Sequence, residues 1–383
     1  METKTEVTCG SPSRGVRIVC CADYEDALAP AFARLLAESV LLDPQAVAGR
    51  RVLVKPNLLT DRTPDQAVTT HPALLRLVVR HLKAASASVV VGDSPASAAN
   101  INAVLERTGI GAACKEEGVP FVSFEGEGAR ACSVDGFDFT IAGPVAEADL
   151  IVSLPKVKSH SLTKLTAAVK NMYGAVPGYG KTTLHRLHPK PGDFGRLVQA
   201  IWRVLPPTVS IADAVVGMEG QGPANGRPVR LGFLAASADP FALDIALCNI
   251  LQITPTSVPY LKGLTDLHSP ETAGDKVDVA SFEIPVGSHL LDLVPACLMR
   301  VAARVLWVRP RIDAERCVNC GKCVKACPVG ALALPAAQER GIPALRRRAC
   351  VGCACCHEVC PQGAIRMTQS PALRLVHAFH GLD

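Results

Sequence analysis

The feature that most constrains this chain is a cysteine motif that occurs twice near its C-terminal end. CVNCGKCVKACPVGAL spans Cys317–Leu332 and CVGCACCHEVCPQGAI spans Cys350–Ile365. Both copies follow C-x-x-C-x-x-C-x-x-x-C-P, and both continue with x-G-A and an aliphatic residue. Three thiols spaced this way wrap one face of a compact inorganic centre in a tight loop. The helical turn that follows carries the fourth thiol away, toward a neighbouring centre. Two such copies exchange their fourth ligands and acquire a pseudo-twofold shape. Regular ligand spacing of this kind argues for metal rather than disulfides.

The spacing is that of bacterial two-cluster ferredoxins, in which the fourth cysteine of each run ligates the other cluster. Two [4Fe–4S] clusters are therefore the expected cofactors. One is expected on Cys317, Cys320, Cys323 and Cys360, the other on Cys350, Cys353, Cys356 and Cys327. Cys355, inside the second loop, falls outside the pattern and reads as a bystander. Zinc suits pairs of C-x-x-C better than two complete runs. Adjacent clusters form an electron relay, with structural or redox-sensing clusters as the alternative. Their potential is not legible, because cluster proteins span about −700 to +450 mV. The nearby Arg316, Lys322, Lys325 and Arg346–Arg348 raise it by favouring the more negative reduced form.

The net charge of +5 is uneven. Residues 300–350 hold eleven Lys and Arg against three Asp and Glu, so the rest of the chain is slightly acidic. Cations beside anionic clusters explain this block. Trp307 is its only aromatic residue, so the stacking side chains that nucleic-acid binding favours are absent. Clusters persist best in a reducing compartment, and the first fifteen residues contain no apolar core of a secretion signal. The longest apolar stretch, Leu290–Val308, is broken by Asp292, Arg300 and Arg304, so no membrane span is expected. The expectation is a cytoplasmic protein.

Upstream, short apolar runs alternate with helical periodicity. Val16–Cys20, RVLVKPN with Pro56 ending the strand at Lys55, SVVVGDSP, Leu150–Leu154, TVSIADAVVGMEG and RLGFLAASADP read as strands running into their exit loops, and Ala27–Leu42 and His71–Ala85 as helices. Strands without polar alternation are buried on both faces. The expected fold is an α/β domain over 15–268 with a mostly parallel, doubly wound-type sheet. A connector with a strand at Ser281–Pro285 and an amphipathic helix at Leu290–Val308 follows over 269–310. A small α+β ferredoxin-like two-cluster domain occupies 311–368 and a tail 369–383. In doubly wound sheets, ligands bind beyond the carboxyl ends of the strands.

VLVKPNLL, VGDSPA, LPKVKSHSLTKLTAAVKNMYG and IADAVVGMEGQGPANGRPV followed by ASADPFALD are those strand ends and their loops. In this order they resemble the family called domain of unknown function 362, many of whose members carry a C-terminal two-cluster module. The resemblance implies an iron–sulfur protein and leaves the reaction open.

The residues themselves suggest chemistry. Lys156, Lys158, His160, Lys164, Lys170 and Asn171 follow one strand, and His160 and Lys164 share a face if a helix starts there. Cations near a helix N-terminus suit a carboxylate or phosphate; a solvated basic face is the plainer reading. His185 and His188, near Lys181, suit acid–base or substrate contact, a metal, or mere surface. GYGKTT fails as a phosphate loop, since Ala175 stands where glycine is required. The expected pocket joins Lys55, Asn57, Asp93, Lys156, His160, Asp213 and Glu219, with Lys158, Lys164 and Asn171 also binding substrate. His160, Lys156, His185 and His188 are the candidate catalytic residues. The leading expectation is an oxidoreductase passing electrons through the clusters to a small anionic substrate or unidentified cofactor, supplied by a redox partner protein or small electron donor. The alternatives are a non-catalytic carrier that docks a protein partner, and a binding or maturation protein.

Overall fold

The computed structural model describes residues 15–37, 41–96, 99–126, 128–206, 208–264, 270–285, 307–335 and 341–372. Its main element is a ten-stranded sheet. The strands are β1 (Val16–Cys20), β2 (Arg51–Pro56), β3 (Ser88–Asp93), β4 (Phe121–Ser123), β7 (Leu150–Leu154), β8 (Lys156–His160), β9 (Lys164–Thr166), β10 (Thr208–Glu219), β11 (Arg227–Ser237) and β12 (Thr272–Gly274). A separate hairpin pairs β5 (Arg130–Val134) with β6 (Phe137–Ile141). The path through the sheet is β12-β1-β11-β10-β7-β2-β3-β4, with β8 on β10 and β9 on β8. Neighbours pair in parallel except β1–β11, β10–β11 and β8–β9. The sheet is mostly parallel and the class is α/β.

Alternate residues of each strand enter two different cores, because side chains in a strand alternate between faces. Val52, Val54, Val152 and Leu234 pack with the helices Leu28–Ala37 and Pro72–Ala84. Leu53, Ile151, Phe233 and Ala235 pack on the other side with Pro191–Trp202 and Pro240–Ile250. Two-sided burial is why these strands read as unbroken apolar runs. The helices at Pro72, Pro191 and Pro240 start on proline, whose missing N–H costs nothing at a first helical position. Asp239 caps the last of them through the Phe241 and Ala242 amides.

Two expected elements differ. No helix forms around His160 and Lys164; β8 and β9 make a hairpin in which those residues are cross-strand partners. Lys164 sits in its tight turn at φ 63°. The helix begins only at Ala168. The chain leaves β7 at Pro155 and continues along β10, where the Asp213 amide donates to the Pro155 carbonyl. Sheet pairing therefore overrides the local helical pattern. Ser281–Pro285 is not a strand; instead its Glu283 backbone bonds to Gly220 and Glu219. The expected helix of the connector and the tail beyond 372 lie outside the described residues.

The C-terminal module is small and strand-rich. β13 (Val308–Ile312) pairs with β16 (Ile365–Gln369), and β14 (Leu332–Ala333) with β15 (Ala344–Leu345). Short helices Lys322–Lys325 and Cys355–Glu358 follow the two cysteine loops. Among the described residues no helix is long and apolar enough to cross a membrane.

Lys156 belongs to this framework. Its Nζ lies 2.7 Å from Asp213 Oδ2 and donates to Tyr24 Oη and the Val216 carbonyl. Tyr24 Oη donates to Asp213 Oδ1 at 2.6 Å and accepts from the Val216 amide. The cluster satisfies backbone groups released where β10 bulges between Ala214 and Val216. Lys156→Ala leaves Asp213 buried without its cation, and is expected to cost about 3–5 kcal/mol. A lower urea midpoint at unchanged slope checks this; unchanged stability with lost activity would restore Lys156 as catalytic.

Candidate functional site

The two cysteine loops share one backbone plan. Positive φ recurs at Asn319, Gly321 and Gly330 in the first copy and at Gly352, Ala354 and Gly363, the matching positions, in the second. These turns fold each loop inward. Cys317, Cys320, Cys323 and Cys360 line one small cavity, and Cys327, Cys350, Cys353 and Cys356 line another. Each set draws its fourth thiol from the other repeat. The Ala331 amide donates to Cys327 Sγ at 3.0 Å and the Ala364 amide to Cys360 Sγ at 3.2 Å. Four thiols around a cavity, with amides aimed at sulfur, fit a [4Fe–4S] cluster and favour its more charged state.

The module is seated on the α/β domain by polar contacts. Arg62 donates to the Cys360 carbonyl (3.1 Å) and to Asn225 Oδ1 (3.2 Å), and Asn225 Nδ2 donates to the His357 carbonyl (2.8 Å). His357 Nε2 lies 3.0 Å from the Gln221 carbonyl. The glycine-rich stretch after β10 therefore approaches its own chain rather than a ligand. A Cβ on Gly222 would lie 2.1 Å from the Ser159 carbonyl oxygen.

Between the two parts lies a cavity of about 100 Å³. Lys55, Asn57, Asp93, Lys158, His160, Asn171 and His185 reach it from the strand ends and following helices. Cys355, Glu358 and Val359 close it from the second cysteine loop. Lys55 pairs with Asp93 at 2.7 Å, both essentially buried. Gly174 fits over that pair because a Cβ there would lie 2.7 Å from Lys55 Nζ. Asn171 Oδ1 accepts from Asn57 Nδ2, and Asn171 Nδ2 donates to Ser153.

Lys158 is 1 % exposed, yet among the described residues it has no carboxylate partner. Its Nζ donates to Asn57 Oδ1 (2.8 Å) and the Val68 carbonyl (2.6 Å), both neutral oxygens. Burial holds its pKa well below the usual lysine range, and Lys170 adds to the effect. Burial likewise lowers Lys170, which lies against the Tyr173 and Phe194 rings at 5.9 Å from each. Lys181 is brought down to about 8, again chiefly by burial, and donates to Ser94 and Pro95.

His160 Nδ1 accepts the Leu162 (3.0 Å) and Thr163 (3.3 Å) amides, which leaves the ring proton on Nε2. That atom faces Glu358 Oε1 at 3.3 Å. Burial, then Lys170, lowers His160 to about 3, and burial lowers His185 to about 4. Burial alone would raise Glu358, but His160 and Lys170 hold its carboxyl below the usual range. Thr166 Oγ1 and His185 Nδ1 line the cavity with no hydrogen-bond partner among the described residues, and His160 Nε2 and Glu358 Oε1 meet only each other there, at 3.3 Å. Buried polar groups left unpaired are costly, so this is a place for a ligand.

Some expected site residues lie elsewhere. Lys156 and Asp213 are occupied in the framework cluster. Glu219 accepts from Arg227 and from the Glu283 amide. Lys164 is in the hairpin turn, and His188 rests edge-on against Phe137. None of these five lines the cavity. Conversely, Thr166, Cys355 and Glu358 line it without having been expected. Glu358 carried one faint signal: it is the only carboxylate within either cysteine motif.

Residues 52–249 match the family described as Domain of unknown function (DUF362), and residues 310–367 match a 4Fe-4S dicluster domain. A thylakoid-associated protein of Synechocystis sp. is 35% identical over 229 residues, covering 59% of this chain and 71% of that protein. Among solved structures, the lactate racemase apoprotein of Thermoanaerobacterium thermosaccharolyticum aligns at 13% identity and TM-score 0.42, over 63% of this chain and 58% of that one. A Thermotoga maritima protein aligns at 12% identity and TM-score 0.32, over 50% and 51%.

The depressed histidines set a pH dependence. Below pH 6.5 an unfolded chain protonates them, whereas the folded chain does not until about pH 3 to 4. Their contribution is complete above about 6.5 and is lost as pH falls toward 4. Anaerobic urea midpoints should therefore drop between pH 7 and pH 5, and less so in His160→Gln/His185→Gln; equal drops would refute this assignment.

Proposed function

The chain belongs to the DUF362 family and carries a [4Fe–4S]-binding dicluster domain, and from that footing we propose that it is an oxidoreductase that reduces a small anion in the cavity between its two parts. Cys317, Cys320, Cys323 and Cys360 hold one cluster, and Cys350, Cys353, Cys356 and Cys327 the other. The observation that carries the reading is the shared wall: Cys355, beside the cluster ligand Cys356, faces the same space as Lys158, His160 and Lys170.

Charge and size support the ligand class. Asp93 offsets Lys55, and Glu358, which faces a neutral His160, offsets one of Lys158, Lys170 and Lys181, so the other two leave positive charge in excess when protonated. A buried lysine without an anion favours its neutral form; an anion beside it restores the charge. The cavity of about 100 Å³ is smaller than the ~150 Å³ that holds a benzene. That suits an inorganic oxyanion or a short carboxylate and is too small for a nucleotide.

When bound, the clusters supply single electrons, drawn from an external reduced carrier. The chain's own residues do the rest. Lys158, Lys170 and Lys181 hold the anion, and Thr166 Oγ1 and His160 Nε2–H orient it. His160 starts neutral and acts first as a hydrogen-bond donor. An anion against it raises its affinity for a proton, which it then holds for the reduced product. Binding therefore takes up protons and weakens as pH rises. The cytoplasm, as a reducing compartment, suits the cluster domain.

The test is anaerobic. Clusters are reduced, excess reductant removed, and their visible absorbance followed while small carboxylates and oxyanions are added. One class of anion is expected to reoxidise them quickly, and Lys158→Ala and His160→Ala to slow this by at least about a hundredfold at equal iron content. Reoxidation by a protein fraction alone would instead identify a non-catalytic carrier.

A further inference from the structure

The two cysteine repeats are superimposable in spacing but differ in what they present. At the two places where the second repeat carries Cys355 and Glu358, both facing the inner cavity, the first carries Lys322 and Lys325. Lys325 is exposed, and Lys322 rims the cavity of the first cysteine quartet. At one matching ligand position Cys320 of that quartet is exposed whereas Cys353 of the other is buried. One cluster site thus opens outward and the other inward.

The outward rim combines bare apolar surface with cations. Val318 is 62 % exposed and Leu334 48 %. Leu334 lies over the first loop, where a Cβ on Gly321 would come 3.4 Å from its Cδ1. Arg316 stands beside Cys317 and pairs with Asp313 at 3.7 Å. Among the described residues neither Lys322 nor Lys325 has an ion-pair partner. Over residues 307–335 and 341–372 there are nine Lys and Arg against three Asp and Glu. Two oxidised clusters with their thiolates bring about −2 each, which leaves the module positive. An apolar centre bordered by cations in excess is suited to a brief, charge-steered encounter.

We infer that this face is the port through which electrons enter, and that it docks a small acidic electron-carrier protein. Carboxylates of the carrier meet Arg316, Lys322 and Lys325 while its apolar centre covers Val318 and Leu334. One electron leaves the reduced carrier for the cluster on Cys317, Cys320, Cys323 and Cys360, then passes to the inner cluster. The inference rests on the clusters carrying electrons, and holds whether or not the inner cavity is catalytic.

The experiment follows anaerobic reduction of the full holoprotein in a stopped-flow instrument. A reduced plant-type [2Fe–2S] ferredoxin, which is acidic, serves as the carrier, and dithionite as a small reductant. The variants are Lys322→Glu/Lys325→Glu, Val318→Ser, and Arg347→Glu/Arg348→Glu beside the other quartet. With ferredoxin, the wild-type rate should fall steeply with salt. The Lys322/Lys325 variant should lose about tenfold or more in second-order rate at low salt and most of the salt dependence. Val318→Ser should slow reduction at every salt concentration. The Arg347/Arg348 variant should stay within about threefold of wild type. Dithionite should reduce all four proteins to the same extent at equal iron content. Ferredoxin rates unchanged in the Lys322/Lys325 variant, or an equal loss in the Arg347/Arg348 variant, would overturn the port. Wild-type clusters that dithionite cannot reduce would overturn the electron-transfer reading beneath it as well.

Discussion

Placing lysine ammonium groups inside a protein is the constraint around which this structure is arranged. Lys55, Lys156 and Lys158 come from two strand ends and are each about 1 % exposed. A buried charge must be paired, neutralised or left to shift its pKa. Lys156 is paired with Asp213 and Lys55 with Asp93. Lys158 is met only by neutral oxygens. The first solution stiffens the sheet where β10 bulges, and the second fixes the floor of the cavity. The third leaves a buried ammonium that meets no carboxylate among the described residues.

The cluster module supplies the other half of that site. Its pseudo-twofold plan would make both loops equivalent if they stood alone. Docking breaks the equivalence. Arg62, Asn225 and the Gln221 carbonyl grip the second loop, so Cys355 and Glu358 turn inward while Lys322 and Lys325 remain outside. The same repeat thereby acquires an inner wall and an outer rim.

The chain's own residues also account for where local reading fails. The segment around His160 has helix-compatible spacing, but Pro155 turns the chain along β10 and the ladder with β10 and β9 captures it. His160 Nε2 then points at the cavity because hairpin amides occupy Nδ1. Lys164, expected on the same helical face, is left in a turn. The Asp213–Arg227 stretch, with four glycines, has the composition that lets a backbone approach a ligand closely. Gly217 and Gly222 instead serve close packing against the β8 backbone at Val157 and Ser159.

What the sequence determined alone was whatever depends on spacing and local pattern: the two cysteine quartets, the exchange between repeats, the buried strands and the strand-end loops. Lys55, Asn57, Asp93, Lys158, His160 and Asn171 were also legible, since strand ends of a parallel sheet gather on one edge. Tertiary structure decided which polar groups found partners. Lys156 and Lys158 are two residues apart in one strand and chemically identical, yet only one has a carboxylate in reach. It also decided that Cys355 and Glu358 belong to the site, because that depends on docking two folded parts. Pairing and docking are long-range geometric facts, and no local pattern encodes them.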